Sequence, residues 1–187
     1  MRLQPLFGGA IQCVIGDTFL DASEIRQIPD NQEVFVDIRT QQSIIFELLE
    51  PVEATDESIA RLHFQQLASD NEATEAHIAS IERVEPQTVT PRLPPQTTVV
   101  HILKGWQKVA KFNEASAQNM VEIMLIVVRL VNVSTDFVIS VNAPVIVDPA
   151  SSERAASGGQ VATIEQIGSE IVEMLNHLEV NDWSLFG

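Results

Sequence analysis

Residues 121–143 read VEIMLIVVRLVNVSTDFVISVNA, a stretch rich in valine and isoleucine. Branched side chains of this kind favour strands, although the periodicity of the stretch alone leaves a buried helix open. The polar residues Ser134, Thr135 and Asp136 interrupt the apolar run and are typical of a turn. We therefore predict two neighbouring strands, 121–133 and 137–143, joined by that turn.

Further strands are predicted on the amino-terminal side of this pair. They cover residues 10–15, 33–38, 43–49, 97–103 and 106–112. Lys104 and Gly105, between the last two segments, indicate a hairpin turn. Residues 76–84 fit either a strand or a helix, and we choose a strand.

Two helices are predicted to cover the sheet. The first spans 57–68, after capping residues at 55–56. The second spans 164–178, where an apolar stripe recurs at helical spacing, and it begins at a capping box formed by Thr163 and Gln166.

Strands joined by short turns, with helices between them, predict an α+β sandwich in which helices flank a central antiparallel sheet. The residues before the strands, 1–9, have the character of a loop. The proline-rich stretch 86–95 is read as a long connector inside the domain. We expect one domain over residues 1–187.

The chain is strongly acidic. It carries 11 lysines and arginines against 26 aspartates and glutamates, a net charge of −15. Nucleic acids and anionic membranes bind clustered positive charge, so neither is expected as a partner. The most apolar stretch is interrupted by Glu122 and Arg129, which argues against membrane insertion. The charge favours a partner protein with a basic face.

Sequence motifs for covalent chemistry or cofactor binding are missing. The chain has no phosphate-binding loop and no Gly-x-Ser-x-Gly, and its four histidines stand alone, so we expect no catalytic, cofactor or metal site. His63 lies on the apolar face of the first helix and is interpreted as a structural histidine. Cys13 is the single cysteine and sits among apolar residues, which predicts a buried thiol in a reducing compartment.

Carboxylates cluster around the turn that leads into the strand predicted at 33–38. The cluster contains Asp17, Asp21, Glu24, Asp30 and Glu33. A solvated surface, a protein-binding surface and a glycosidase-like acid–base pair remain open, whereas the ligand spacing of a calcium loop is absent. The three lysines of the chain also cluster, at Lys104, Lys108 and Lys111. Three interpretations of these lysines remain open: a second contact with a partner, a counter-charge within the protein, or side chains that keep a hairpin soluble and its edge unpaired.

Several segments of the chain resemble one family, the Ran guanine nucleotide release factors, or nuclear import factors of the Mog type. The segments that carry the resemblance are LFGGAI at 6–11, FLDASEIR at 19–26, PDNQEVF at 29–35, SIIFELLE at 43–50 and TDFVISVN at 135–142. The resemblance is strong over residues 6–50 and moderate over 110–143 and at the last four residues.

This resemblance implies a fold shared with the PsbP subunit of photosystem II, with an antiparallel sheet of about six strands. It also implies a monomeric protein of nucleus and cytoplasm that binds the GTPase Ran in its nucleotide-free or GTP-bound state. Nucleotide release from Ran, in support of nuclear protein import, would be its function. The family's Ran-binding acids map onto Asp30 and Glu33, with Asp21 and Glu24 alongside. An adaptor on the same fold without exchange activity is the alternative.

Overall fold

The computed structural model describes residues 1–110, 118–146 and 164–187. Ten strands lie in these ranges: β1 (Arg2–Leu6), β2 (Ile11–Ile15), β3 (Leu20–Asp21), β4 (Gln32–Val36), β5 (Ser43–Leu49), β6 (Glu75–Val84), β7 (Thr98–Ala110), β8 (Gln118–Leu130), β9 (Thr135–Ile146) and β10 (Glu179–Val180). Three helices accompany them: α1 (Glu57–Asp70), the single turn α2 (Pro86–Val89) and α3 (Ile164–Asn176). No helix of these ranges has the length and apolar character needed to cross a membrane.

Seven strands form one antiparallel sheet in the order β3-β4-β5-β9-β8-β7-β6, and β1, β2 and β10 form a smaller one. The α+β class expected from the sequence is confirmed, with seven strands in the large sheet where about six were expected. The strand predicted at 76–84 is also confirmed as β6.

The strand predicted at 121–133 is confirmed as β8 only as far as Leu130, because residues Val131–Val133 form a 3-10 turn. Burial explains why residues 121–130 show no alternation of apolar and polar residues. The odd-numbered side chains of β8, such as Ile123 and Leu125, pack under α1 with Phe64. Its even-numbered side chains, such as Ile126, pack on the opposite face of the sheet in the cluster that contains α3 residue Met174. A strand buried on both faces is apolar throughout.

The expected hairpin turn at Lys104 and Gly105 is wrong, because β7 runs unbroken through both residues. Gly105 is instead required by packing: a Cβ there would meet the carbonyl oxygen of His77 on β6 and lie 3.1 Å from Phe64 Cζ on α1. A lysine–glycine pair is typical of a turn, but the absence of a side chain also lets another backbone approach closely.

Other local expectations differ in detail. Residues 2–6, expected to be a loop, pair with β2 as β1. One turn of helix, α2, lies in the connector that was expected to be extended. Asp56 precedes α1, yet its carboxylate makes no capping hydrogen bond and pairs with Arg83 at 3.1 Å. The capping box at Thr163 and Gln166, Lys111 and the loop around 151–159 lie outside the residues or side chains that the structure describes.

Candidate partner-binding surface

The four predicted site acids lie on or beside the outer strands β3 and β4. Asp21 ends β3 and caps the short 3-10 turn Ala22–Glu24, because its Oδ1 accepts a hydrogen bond of 2.8 Å from the Ser23 N–H. The turn packs against β4. Asp21 therefore contributes to the stability of this turn.

Glu33 lies on β4 with a half-buried side chain. Its Oε1 accepts a hydrogen bond of 2.6 Å from the N–H of Phe7, at the start of a left-handed turn in which Phe7 and Gly8 have φ values of 49° and 67°. Burial raises the pKa of Glu33, the Phe7 N–H lowers it, and the charge of Asp21 raises it further. Glu33 therefore has a structural role, and it is electrostatically coupled to Asp21.

Glu24 and Asp30 differ from the other two acids because both are exposed. Across the described residues, neither side chain has an ion pair or a hydrogen bond. The turn around Asp30 is nonetheless well held: the N–H of Gln32 donates to Pro29 O at 2.9 Å, and the N–H of Leu48 on β5 donates to Asn31 O at 3.0 Å. Asp30 is thus a carboxylate on an ordered support with no internal partner among those residues.

The turn at Phe7 and Gly8, which Glu33 supports, is also held in place by residues 181–186. The N–H of Asn181 donates to Ala10 O at 2.8 Å, and Trp183 and Phe186 pack against the core cluster that also contacts Phe7. The ring of Phe7 meets that of Phe137 edge to face at 6.3 Å. Sequence reasoning missed this arrangement, although family-like segments at both termini were the signal that could have suggested it.

A second polar cluster, centred on Asp136, is structural. Its carboxylate accepts hydrogen bonds from Arg129 Nε at 2.7 Å and from the Val52 N–H at 3.1 Å, and it contacts His63 Nε2 at 2.8 Å. Burial alone would raise the pKa of Asp136, but these donors outweigh it and lower the pKa to about 2. The expectation that His63 is a structurally satisfied histidine is confirmed.

The remaining charged candidates have separate places. Asp17 pairs with the amino terminus at 3.0 Å. Lys108 pairs with Glu75 at 2.8 Å, which supports its interpretation as an internal counter-charge, while Lys104 is exposed on β7. Within the described ranges, no group of three or more histidine, cysteine or carboxylate side chains is arranged to hold a metal ion.

An open groove of about 450 Å³ lies on the α1 side of the sheet. None of the four predicted site acids lines it, and its polar lining consists largely of amide side chains: Gln41, Asn71, Gln107, Asn119 and Asn142. A glycosidase-like reaction needs two carboxylates facing each other across a cleft. The arrangement of Asp21, Glu24, Asp30 and Glu33 on an outer edge fits a protein-binding surface better.

Comparison with known proteins identifies the family of this chain. Residues 4–144 match the family model of the Ran-interacting Mog1 protein. The chain is 37% identical to the Ran guanine nucleotide release factor of Danio rerio, over 98% of this chain and 99% of that protein. It is 40% identical to the nuclear import protein mog1 of Schizosaccharomyces pombe, over 74% of this chain and 75% of that protein.

Solved structures give the same result. A mutant form of protein Mog1 superimposes with a TM-score of 0.69 at 27% identity, covering 100% of this chain and 98% of the other. The Saccharomyces cerevisiae Ran-binding protein Mog1p superimposes with a TM-score of 0.67 at 26% identity and the same coverage. On the family match, the sequence identities and the shared fold, this chain belongs to the Mog1 family of Ran-interacting proteins.

Proposed function

We propose that this protein binds the GTPase Ran, promotes release of its guanine nucleotide and thereby supports nuclear protein import. Membership of the Mog1 family carries the proposal. The carboxylates of Glu24 and Asp30 support it, because they are exposed and have no partner among the described residues, and a surface of this kind suits a partner with basic side chains. The protein acts as a regulator of a GTPase, as a monomer, in the nucleus and the cytoplasm.

The chemistry of release follows from how a GTPase holds its nucleotide. Backbone N–H groups, a phosphate-binding lysine and a magnesium ion bind the phosphates. A partner carboxylate that engages the lysine or disfavours the metal weakens this hold. The family's Ran-binding acids map onto Asp30 and Glu33. Asp30 is the better candidate to contact the lysine or the metal site, since Glu33 already accepts a hydrogen bond from the Phe7 N–H. Asp21 and Glu24 guide docking.

Thermodynamic linkage sets the preferred state of Ran. A protein that weakens nucleotide binding must itself bind nucleotide-free Ran more tightly than the GDP-loaded form. The affinity for GTP-bound Ran should be compared with the affinities for the nucleotide-free and GDP-loaded forms. Equal affinity for empty and loaded Ran, with no faster loss of a fluorescent nucleotide, would leave only the adaptor interpretation.

The test of the binding site is the substitution Asp30→Ala. It removes an exposed carboxylate that makes no hydrogen bond or ion pair with the described residues, so the thermal midpoint should not change. If Asp30 pairs with a desolvated cation of Ran, affinity should fall by about 2 kcal/mol or more, roughly 30-fold. A solvated rim contact would cost no more than about 1 kcal/mol. Both quantities can be measured by calorimetry.

The expected result for Glu33 is different. Glu33→Ala also weakens Ran binding, but it should lower the thermal midpoint as well, because the Phe7 N–H loses its acceptor. Glu173→Ala on α3 removes one exposed charge elsewhere and serves as the matched control. If wild-type protein binds Ran but Asp30→Ala and Glu33→Ala both keep their affinity within a factor of about three, the acidic residues are not the binding site.

A further inference from the structure

The edge of the sheet that carries the acidic residues also exposes large aliphatic side chains. Ile25 is 71% exposed, Ile38 58% and Leu20 45%. Single exposed aliphatic residues are common on proteins and need no explanation. Three of them on adjoining segments, beside carboxylates that have no partner in the described part of the chain, are a different observation, since this combination is typical of a binding surface.

The backbone brings these three residues to one edge. Leu20 on β3 pairs with Val36 on β4, and Ile38 follows β4 by two residues. Ile25 ends the 3-10 turn that packs against β4. We call Leu20, Ile25 and Ile38 the aliphatic edge.

The segments beneath the aliphatic edge are held firmly, although the side chains themselves face solvent. The N–H of Ile25 donates to Ala22 O at 3.0 Å. Thr18 Oγ1 donates to the buried carboxylate of Asp37 at 2.6 Å, which ties the residues before β3 to the residue before Ile38. Because the backbone is already ordered, a partner can bury these side chains with little loss of backbone entropy.

Charge identifies the kind of partner. Residues 17–39, which contain all three residues of the aliphatic edge, carry six carboxylates and two basic residues, Arg26 and Arg39. A partner surface that covers the aliphatic edge must therefore present apolar groups surrounded by basic ones. This arrangement is common in protein interfaces, where buried apolar residues stabilise the complex and charges at the rim speed association.

We propose that the aliphatic edge is the apolar anchor of the Ran interface, with Ile25 at its centre and the acids Asp21, Glu24 and Asp30 around it. This inference rests on the proposed function, since it takes Ran as the partner. It adds a second set of binding residues whose contribution is apolar and insensitive to salt.

The substitution Ile25→Ser tests the proposal. Because Ile25 is exposed, the thermal midpoint should stay near the wild-type value. The affinity for nucleotide-free Ran should fall at least about tenfold, as expected for truncation of an interface anchor, and the loss should come from faster dissociation. Association at low salt should change less than about twofold, because the steering charges remain.

Two further variants make the result specific. Ile25→Leu keeps the apolar volume and should restore most of the affinity. Leu62→Ser removes a 41% exposed leucine from α1, away from the edge, and should bind as the wild type does. Isothermal calorimetry and stopped-flow kinetics are applied to the wild type and these three variants, and also to Leu20→Ser, Ile38→Ser and Asp30→Ala.

Each outcome decides the matter. Faster dissociation of Ile25→Ser with rescue by Ile25→Leu supports the anchor. Wild-type affinity in Ile25→Ser, Leu20→Ser and Ile38→Ser, with Asp30→Ala still defective, overturns the aliphatic edge and leaves the proposed function standing. Failure of the wild-type protein to bind Ran in any nucleotide state overturns both.

Discussion

At the scale of a single residue, His101 is a polar side chain that the fold buries completely. It lies on β7 with no exposed surface, and in the described structure neither ring nitrogen has a hydrogen-bond partner. Burial lowers its pKa, and Arg83 and Arg129 lower it further, while Asp56 and Glu57 oppose this shift. The folded protein therefore favours the neutral ring.

The consequence is a loss of stability in mild acid. Because the pKa of His101 is lower in the folded protein than in the unfolded chain, the unfolded chain binds a proton more readily below a pH of about 6.5. The free energy of unfolding therefore falls as pH drops from that value towards the folded pKa, by at most about 1.4 kcal/mol per pH unit. His101→Leu should remove this slope, as measured by urea denaturation between pH 5 and 7.5.

His77→Gln is the matched control, because it removes an exposed histidine from the neighbouring strand β6. It should keep the wild-type pH dependence. An unchanged slope in His101→Leu would mean that His101 takes up its proton in the folded state.

His63 is also a buried histidine, but unlike His101 it has a polar partner. Its Nε2 lies 2.8 Å from Asp136, a carboxylate that also binds Arg129 and the Val52 N–H. Since the cluster joins α1 and the segment before it to the strands β8 and β9, a buried histidine here contributes to tertiary structure.

At the scale of elements, Gly105 controls how β6, β7 and α1 fit together. It pairs with Ile78, next to the register irregularity between Ile78 and Ser80. Gly105→Ala would push a methyl group into the backbone of β6 and towards Phe64, both of which are fixed by packing. We expect a loss of about 1–3 kcal/mol in the free energy of unfolding, the range for overpacked cores.

The control is the same substitution in α3. A Cβ at Gly168 has nothing within 4 Å, so Gly168→Ala gains helix propensity and should raise stability by up to about 1 kcal/mol. Chemical denaturation of the two variants should show opposite signs. Equal stability of Gly105→Ala and the wild type would contradict the packing argument.

At the scale of the whole molecule, the net charge of −15 should govern the encounter with Ran. Screening shortens the reach of this charge to about 8 Å at physiological ionic strength. The association rate should therefore fall as salt rises, whereas the dissociation rate should change little. An association rate that does not depend on salt in stopped-flow measurements would remove electrostatic steering from the account.

Much of the fold could be predicted because its signals are local. The strands β8 and β9 and the apolar stripe of α3 follow from composition and spacing within a few residues. The turn predicted at 134–136 is displaced, because it lies at 131–134 and Thr135 and Asp136 already pair within β9. The ambiguous stretch 76–84 and the lysine–glycine pair in β7 show the limit, since a short segment can suit two structures and only its neighbours select one.

The sequence by itself determined the α+β class, the acidic surface and the family, because strand composition, net charge and contiguous motifs need no knowledge of contacts. Only the tertiary structure decided how the four acids differ. Glu33 is bound to the Phe7 N–H, 26 positions away, whereas Asp30 is exposed and has no internal partner among the described residues. Contacts between distant segments arise from packing and register, and no local pattern along the chain encodes them.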